Sequence, residues 1–499
     1  MTRLGIDFGT TRTIVALADR GNYPVAQFLD PEGNAHSFVP TLVTCLPDGT
    51  LLCGHAAQAR PELPMLRSFK RLLADPHLTM ETPVTIGKHT YLLLDVLTAF
   101  FTSLRMALAA STLAAHLDSD QPLEAVVAVP ARAFGMQRKM TLEAFRRAGF
   151  KITALLNEPS AAGFEFTHAR PTSMTSQRTR VIVYDFGGGT FDASLVAIDG
   201  QDHEVIATAG DNHLGGDDVD LVLLEMALKE AGKHRKDLSV TDFDDLLMQC
   251  RTAKENLVPQ SRRIVLDVAG EVVALPVAEF YNSLTSIVDR TITAMAPLLP
   301  STGAQALKDE DVAGIYVVGG SSSLPLVPRA LRERFGRRVL RSPLPAGSVA
   351  VGLAIAADDV GYDLSDQLSR SFGVFREGDA GAQTTFDAIV GAHETLPSSG
   401  VRTLTRRYHA AHNIGVFRFV EARELDEHGL PVGDVAPFAC VTHPFAPDLE
   451  GIEDLAGYPV LRDESWQEIE ERYELDAAGM ISVTIRNLGT GHERAYRLA

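Results

Sequence analysis

Two carboxylates in this sequence occupy matching settings. Asp7 closes the apolar run Leu4-Gly5-Ile6 and is followed by Phe8, Gly9, Thr10 and Thr11. Asp185 closes Val181-Ile182-Val183-Tyr184 and is followed by Phe186, Gly187, Gly188, Gly189 and Thr190, after which Phe191 leads to a further carboxylate, Asp192. β-Branched and aromatic residues on both sides of a glycine turn describe a hairpin. Glycines lack Cβ atoms and let backbone N–H groups come close to an anion. Hard carboxylate oxygens beside such a turn suit Mg²⁺, which usually arrives with phosphates and keeps several waters. One such stretch alone could be an ordinary glycine-rich turn. A strand–Asp–Gly–Thr hairpin that occurs twice implies a duplicated unit, with one hairpin from each half facing a shared phosphate chain in a nucleotide cleft.

The elements that must carry these hairpins follow from the patterning. Residues 125–129, stopped by Pro130, form a buried strand, and 91–115 and 137–148 are helical in character. At Asn157-Glu158-Pro159 a strand gives way to a small-residue helix, and Glu158 alone reads as a helix-start carboxylate. Lys70, within Ser68-Phe69-Lys70-Arg71-Leu72-Leu73, reads alone as a solvated helix end. The Gly/Asp-rich turn 210–220 precedes a helix, and 242–257 is a further helix. The strand 312–320 ends in Gly319-Gly320 and runs into Ser321, at the kind of strand end where open α/β sheets hold ligands. From Ser369 onward short alternating runs predominate, at 385–390, 414–420 and 481–485, separated by turns such as Asp476-Ala477-Ala478-Gly479. They predict a small all-β domain, a sandwich.

Length and charge bound the possibilities. A chain of 499 residues holds two or more domains. Its formal charge of −18 argues against a broad nucleic-acid or anionic-membrane surface. Cys45, Cys53, Cys250 and Cys440 lack metal-ligand spacing and read as reduced, mostly buried thiols of a cytoplasmic protein. Met1-Thr2-Arg3 leads straight into the first strand without a signal peptide, and the most apolar helical stretch is too short and too charged to span a bilayer. No Gly-x-x-x-x-Gly-Lys-Ser/Thr loop is present, which removes the P-loop alternative.

The residues closely resemble the DnaK-type heat-shock chaperones. Five stretches match that family's actin-like ATPase domain in order: 5–13, Lys70, 126–141 with Asn157-Glu158-Pro159, 183–192 with His213-Leu214-Gly215-Gly216, and 317–321. A fainter resemblance to the family's peptide-binding domain covers 369–499. The resemblance implies an α/β fold with a duplicated actin-like (ribonuclease-H-like) ATPase domain over 1–360, a linker at 361–368 and the all-β domain beyond. It implies that Asp7 and Asp185 orient the waters of Mg²⁺, that Thr10 and Thr11 with Gly9 and Gly187 to Thr190 cradle the phosphates, and that Gly215 and Gly216 adjoin them. It further implies that Lys70, Glu158 and Asp192, with Thr190, serve hydrolysis of ATP to ADP, and that Lys254, Gly319, Gly320 and Ser321 border the adenosine.

Departures from the family pattern bear on partners. Of the two arginines that usually enclose adenine, one position is Ser323 and the other Glu255, while Arg251 stands at a neighbouring glutamate position. An exchange of charge one helical turn apart would preserve a contact in altered form. Ala154 replaces the arginine that helps engage J-domain partners, which puts J-domain and exchange-factor co-chaperones in doubt, and the leucine-rich linker is diluted to Asp363-Leu364-Ser365-Asp366. No helical lid follows the β-domain in this sequence. The leading expectation is a lidless ATP-dependent chaperone for extended or unfolded polypeptide, acting without nucleic acid or membrane. A nucleotide-switched scaffold with one dedicated partner is the alternative. A small-molecule kinase is weakened by the β-domain and by Glu158.

Overall fold

The structure, a computed structural model, describes residues 3–117, 121–170, 173–174, 178–199, 202–299, 312–358, 368, 370–378, 383–392, 394–397, 400–462 and 467–498. The chain divides into two compact units, one of residues 1–73, 80–131 and 142–364, the other of 74–79, 132–141 and 365–499. The expected linker segment Asp363-Leu364-Ser365-Asp366 lies outside the described residues.

The first unit is mixed α/β, built on two five-stranded sheets with the same internal plan. In one, the order is Phe150–Asn157, Leu123–Val129, Arg3–Phe8, Arg12–Ala18, Val39–Pro40; in the other, Val339–Arg341, Val312–Val318, Arg180–Phe186, Phe191–Asp199, Asp202–Asp211. The central strand of each, Arg3–Phe8 or Arg180–Phe186, pairs antiparallel with the strand that follows it and parallel with a later one. The parallel neighbours Leu123–Val129 and Val312–Val318 are buried along their whole length, which explains their unbroken apolar runs. Both sheets are of mixed type, consistent with a duplicated actin-like domain.

Two helices, Glu158–Ala169 and Ser348–Ala357, fill the core beside these strands. They cross closely enough that a Cβ on Gly352 would stand 1.8 Å from the carbonyl oxygen of Ala161. Asn157 is extended and ends its strand, and Pro159 in the first turn needs no amide bond there, so strand turns to helix at Glu158. Several expected boundaries shift. The helix expected over 91–115 is Leu93–Ala109, because His89–Leu92 pairs instead with Pro83–Ile86. The helix expected over 242–257 is Val240–Glu255, capped by the Ser239 hydroxyl.

The second unit carries two four-stranded antiparallel sheets. One runs Gln383–Val390, Ser371–Gly378, Ile414–Leu425, Pro431–Pro444; the other runs Val401–His409, Glu468–Asp476, Ile481–Asn487, Glu493–Arg497. Of the runs read from sequence, 414–420 and 481–485 extend further than alternation indicated, and Val401–His409 and Pro431–Pro444 were missed because exposed charged and polar residues dilute their pattern. Phe372, Phe419, Phe438 and Tyr473 form an aromatic core. Cys45, Cys53 and Cys250 are buried free thiols, whereas Cys440 is exposed. Among the described residues no helix is long and apolar enough to cross a membrane.

Candidate functional site

The two glycine turns are the tips of the two equivalent hairpins. Each closes with the same bond: Gly9 N–H donates to the Arg12 carbonyl at 3.0 Å, and Gly187 N–H donates to the Thr190 carbonyl at 3.0 Å. They meet tip to tip, since a Cβ on Gly188 would stand 2.4 Å from Thr11 Oγ1 and one on Gly189 would stand 2.4 Å from Thr10 Cγ2. The N–H groups of Gly188, Gly189 and Thr190 have no hydrogen-bond partner among the described residues. Three successive free donors in a cleft make an anion site.

That cleft encloses about 1040 Å³ of free space, part of it open to solvent. Asp7, Gly9, Thr10 and Thr11 line it from one hairpin, and Asp185, Gly187, Gly188 and Thr190 from the other. Lys70 and Glu158 line it too, as do Lys254, Gly319, Gly320 and Ser321. Gly189, Gly215 and Gly216 stand just behind, where Gly216 N–H donates to the Gly187 carbonyl at 3.0 Å. Asp192 is buried directly across the antiparallel pair from Asp185. Gly319 adopts φ +86°, and a Cβ there would lie 2.2 Å from Asp185 Oδ1, so that strand end admits glycine alone. Thus the fold brings every sequence-predicted residue to one place.

Lys70 is no solvated helix end. Its ammonium lies 2.6 Å from Glu158 Oε1, with the two side chains 8% and 12% exposed, over a floor of Phe8, Phe69, Phe100 and Phe101. Glu158 is the helix-start residue expected and also the partner of Lys70. Burial, then Glu158, pushes the Asp7 carboxyl up to about 7 against the pull of Lys70. Asp185 rises well above the usual carboxylate range, through burial first and then Glu158, Asp192 and Asp7. Burial would lower the Lys70 ammonium, but Glu158 and Asp7 outweigh it and hold it above its ordinary value.

Four carboxylates, Asp7, Glu158, Asp185 and Asp192, thus share one ammonium in a desolvated cluster. Such an excess of negative charge suits a divalent cation. Among the described residues no three His, Cys, Asp or Glu side chains converge as a direct cage, so the donor set fits a hard ion that keeps its waters rather than a stripped one.

At the end of the cleft expected to border the adenosine, Arg251 and Glu255 both line the wall. Arg251 Nη2 donates to Asp217 Oδ1 at 2.7 Å and its Nε to Asp220 Oδ2 at 3.3 Å. Lys254 lies 2.6 Å from Asp220 Oδ1 and donates to the Gly216 carbonyl at 2.9 Å. Glu255 forms an ion pair with Arg12, whose guanidinium also covers the Phe38 ring. Ser323 lines the same end. Asp217, Asp220, Arg12 and Arg71 were not singled out from sequence. The helix expected after the Gly/Asp-rich turn 210–220 already begins at Gly216, so Asp217 and Asp220 sit three apart on it, as Arg251 and Lys254 do on Val240–Glu255; that shared spacing was the available signal. Ala154 is part-buried against the core.

Comparison with known proteins bears on the whole chain. Residues 3–363 match the family model described as Hsp70 protein. A chaperone protein HscA homolog of Polynucleobacter asymbioticus is 27% identical over 518 aligned positions, covering 98% of this chain and 76% of its own. The HscA homolog of Cupriavidus taiwanensis is 29% identical over 519 positions, with 98% and 77% covered. That of Polynucleobacter necessarius subsp. necessarius is 32% identical over 377 positions, with 71% and 58% covered.

Proposed function

The chain belongs to the Hsp70 family, and from that premise we propose that it is a DnaK-type chaperone that hydrolyses ATP. Residues 1–360 would be its actin-like ATPase domain, 361–368 the linker, and 369–499 a β-sandwich binding extended apolar polypeptide by strand addition and pocket filling. Free thiols support a cytoplasmic setting. The alanine at 154 argues against J-domain engagement at that position.

The observation that carries the reading is the meeting of two equivalent hairpins over a buried Lys70–Glu158 pair. The free N–H groups of Gly188, Gly189 and Thr190, with the hydroxyls of Thr10 and Thr11, would bind the β- and γ-phosphates. Glu158 and Asp192 would accept hydrogen bonds from the attacking water and aim its oxygen at the γ-phosphorus. Lys70 would balance charge on the γ-phosphoryl group as its bond to ADP breaks. Asp7 and Asp185 would orient the waters of Mg²⁺, whose chemistry when bound is charge neutralisation across the phosphates. Such a reaction rests on positioning and electrostatics in a dry site.

Turnover of ATP measured with and without a panel of unfolded peptides tests the proposal. Stimulation by peptide is expected. Turnover indifferent to every peptide would favour a nucleotide-switched scaffold, and absence of turnover would overturn the ATPase assignment.

A further inference from the structure

We propose that Arg71 is a positioning residue for the hydrolytic step, holding the third carbonyl of the glycine turn so that the amides of that turn stay aimed at phosphate. The inference rests on the ATPase reading above.

Arg71 follows Lys70 in the 3₁₀ helix Phe69–Ala74. Consecutive side chains of a three-residue turn leave about 120° apart. Lys70 therefore reaches Glu158, while Arg71 reaches the opposite hairpin, where its Nη2 donates to the Gly189 carbonyl oxygen at 2.5 Å. The carbonyls of the turn are engaged one after another. Gly187 O accepts from Gly216 N–H at 3.0 Å and Ser321 Oγ at 2.8 Å, and Gly188 O accepts from Asp217 N–H at 2.7 Å. The first two are held by donors from their own half of the fold. Gly189 O is held by a side chain from the segment that carries Lys70.

The contact is close as well as polar. A Cβ on Gly189 would stand 2.7 Å from Arg71 Nε, which is buried and has no hydrogen-bond partner among the described residues. The guanidinium also lies 3.5 Å from Asp218 Oδ2, the oxygen that accepts from Gly215 N–H at 2.7 Å. One cation thus ties the Lys70 segment to the glycine turn and to the start of the helix behind it. Freed from Arg71, the Gly189 peptide could rotate and take the adjoining Thr190 N–H out of line. A planar fork on a backbone carbonyl holds such a peptide more rigidly than a neutral chain can.

The test compares Arg71→Met and Arg71→Lys with the parent in the full chain, reading single-turnover ATP hydrolysis at saturating ATP and ADP affinity by calorimetry. Arg71→Met is expected to slow hydrolysis at least ~10-fold with ADP affinity changed less than ~3-fold, and Arg71→Lys, which keeps one donor and the charge, to recover most of the rate. Hydrolysis by Arg71→Met within ~2-fold of the parent overturns the proposal, as do equal losses of hydrolysis and ADP affinity that lysine does not restore. If Arg71→Met fails to fold, Arg71→Lys decides alone: a rate within ~3-fold of the parent is expected, and a larger loss overturns the proposal. A parent that hydrolyses no ATP defeats the ATPase reading and this inference with it.

Discussion

Lys70 Nζ stands 2.6 Å from Glu158 Oε1, although 88 residues separate the two in the chain. One sits on a 3₁₀ helix and the other on the first residue of an α-helix, and nothing but the fold brings them together. Asp192, opposite Asp185 on the second hairpin, is the third member of the proposed hydrolytic trio. Substitution of Lys70, Glu158 or Asp192 by alanine should slow single-turnover ATP hydrolysis by at least ~10²-fold while ATP still binds, because one preorganised group typically supplies about 3–4 kcal/mol of barrier lowering. Rates within a few-fold of the parent for all three variants would remove these residues from the chemistry.

Affinity for the base is the next expectation. Glu255 is occupied by Arg12, and Arg251 by Asp217 and Asp220, which leaves Ser323 as the position where a stacking cation could be restored. Ser323→Arg should tighten ATP by up to ~30-fold, the equivalent of a cation–π contact of roughly 0.5–2 kcal/mol. Glu255→Arg should gain less, since it places a like charge beside Arg12. Calorimetric affinities that fall in Ser323→Arg would mean that the pocket places adenine elsewhere.

Proton linkage follows from Asp7. Burial and Glu158 push its carboxyl up to about 7, so near neutral pH it is part-protonated before any cation arrives. A divalent cation favours the ionised form, and its binding must release protons. Mg²⁺-dependent ATP binding should therefore strengthen as pH rises through about 7 and weaken below it. Calorimetry in buffers of different ionisation enthalpy measures the protons released, and Asp7→Asn should lower that number. Equal proton release in parent and variant would assign the linkage to another group.

Stability of the second unit should hinge on Glu471, which is fully buried. It accepts from Arg376 Nη1 and Nη2 at 2.9 and 2.7 Å, and from the hydroxyls of Tyr408 and Tyr473 at 2.6 Å each. Glu471→Ala would leave the Tyr408 and Tyr473 hydroxyls and two guanidinium donors of Arg376 without their acceptor, while Arg376 Nε keeps Asp387 Oδ2 at 2.8 Å, so it should cost about 3–5 kcal/mol. Arg376→Met with Glu471→Leu should recover only part of that loss, because the two tyrosine hydroxyls stay without that acceptor. Denaturant midpoints check both, and a Glu471→Ala midpoint equal to the parent's would show the network to be dispensable.

The amino-acid sequence by itself determined the local chemistry of this protein. Apolar runs interrupted by Asp-Phe-Gly made the two hairpins legible, because a strand pattern and a glycine turn are read over fewer than ten residues. Recurrence of that pattern disclosed the duplication that the equal sheet orders display. Partnerships across long sequence separations were another matter. Lys70 alone reads as a solvated end, which burial and pairing with Glu158 reverse, and the partners of Arg251 and Glu255, Asp217 with Asp220 and Arg12, were not legible from their positions in the chain. Arg71 showed no sign in the sequence of its bond to Gly189. The cause is the same in each case. A charged side chain's state depends on which groups surround it after the chain has closed, and water or a carboxylate is chosen by the tertiary packing, not by the neighbours in sequence.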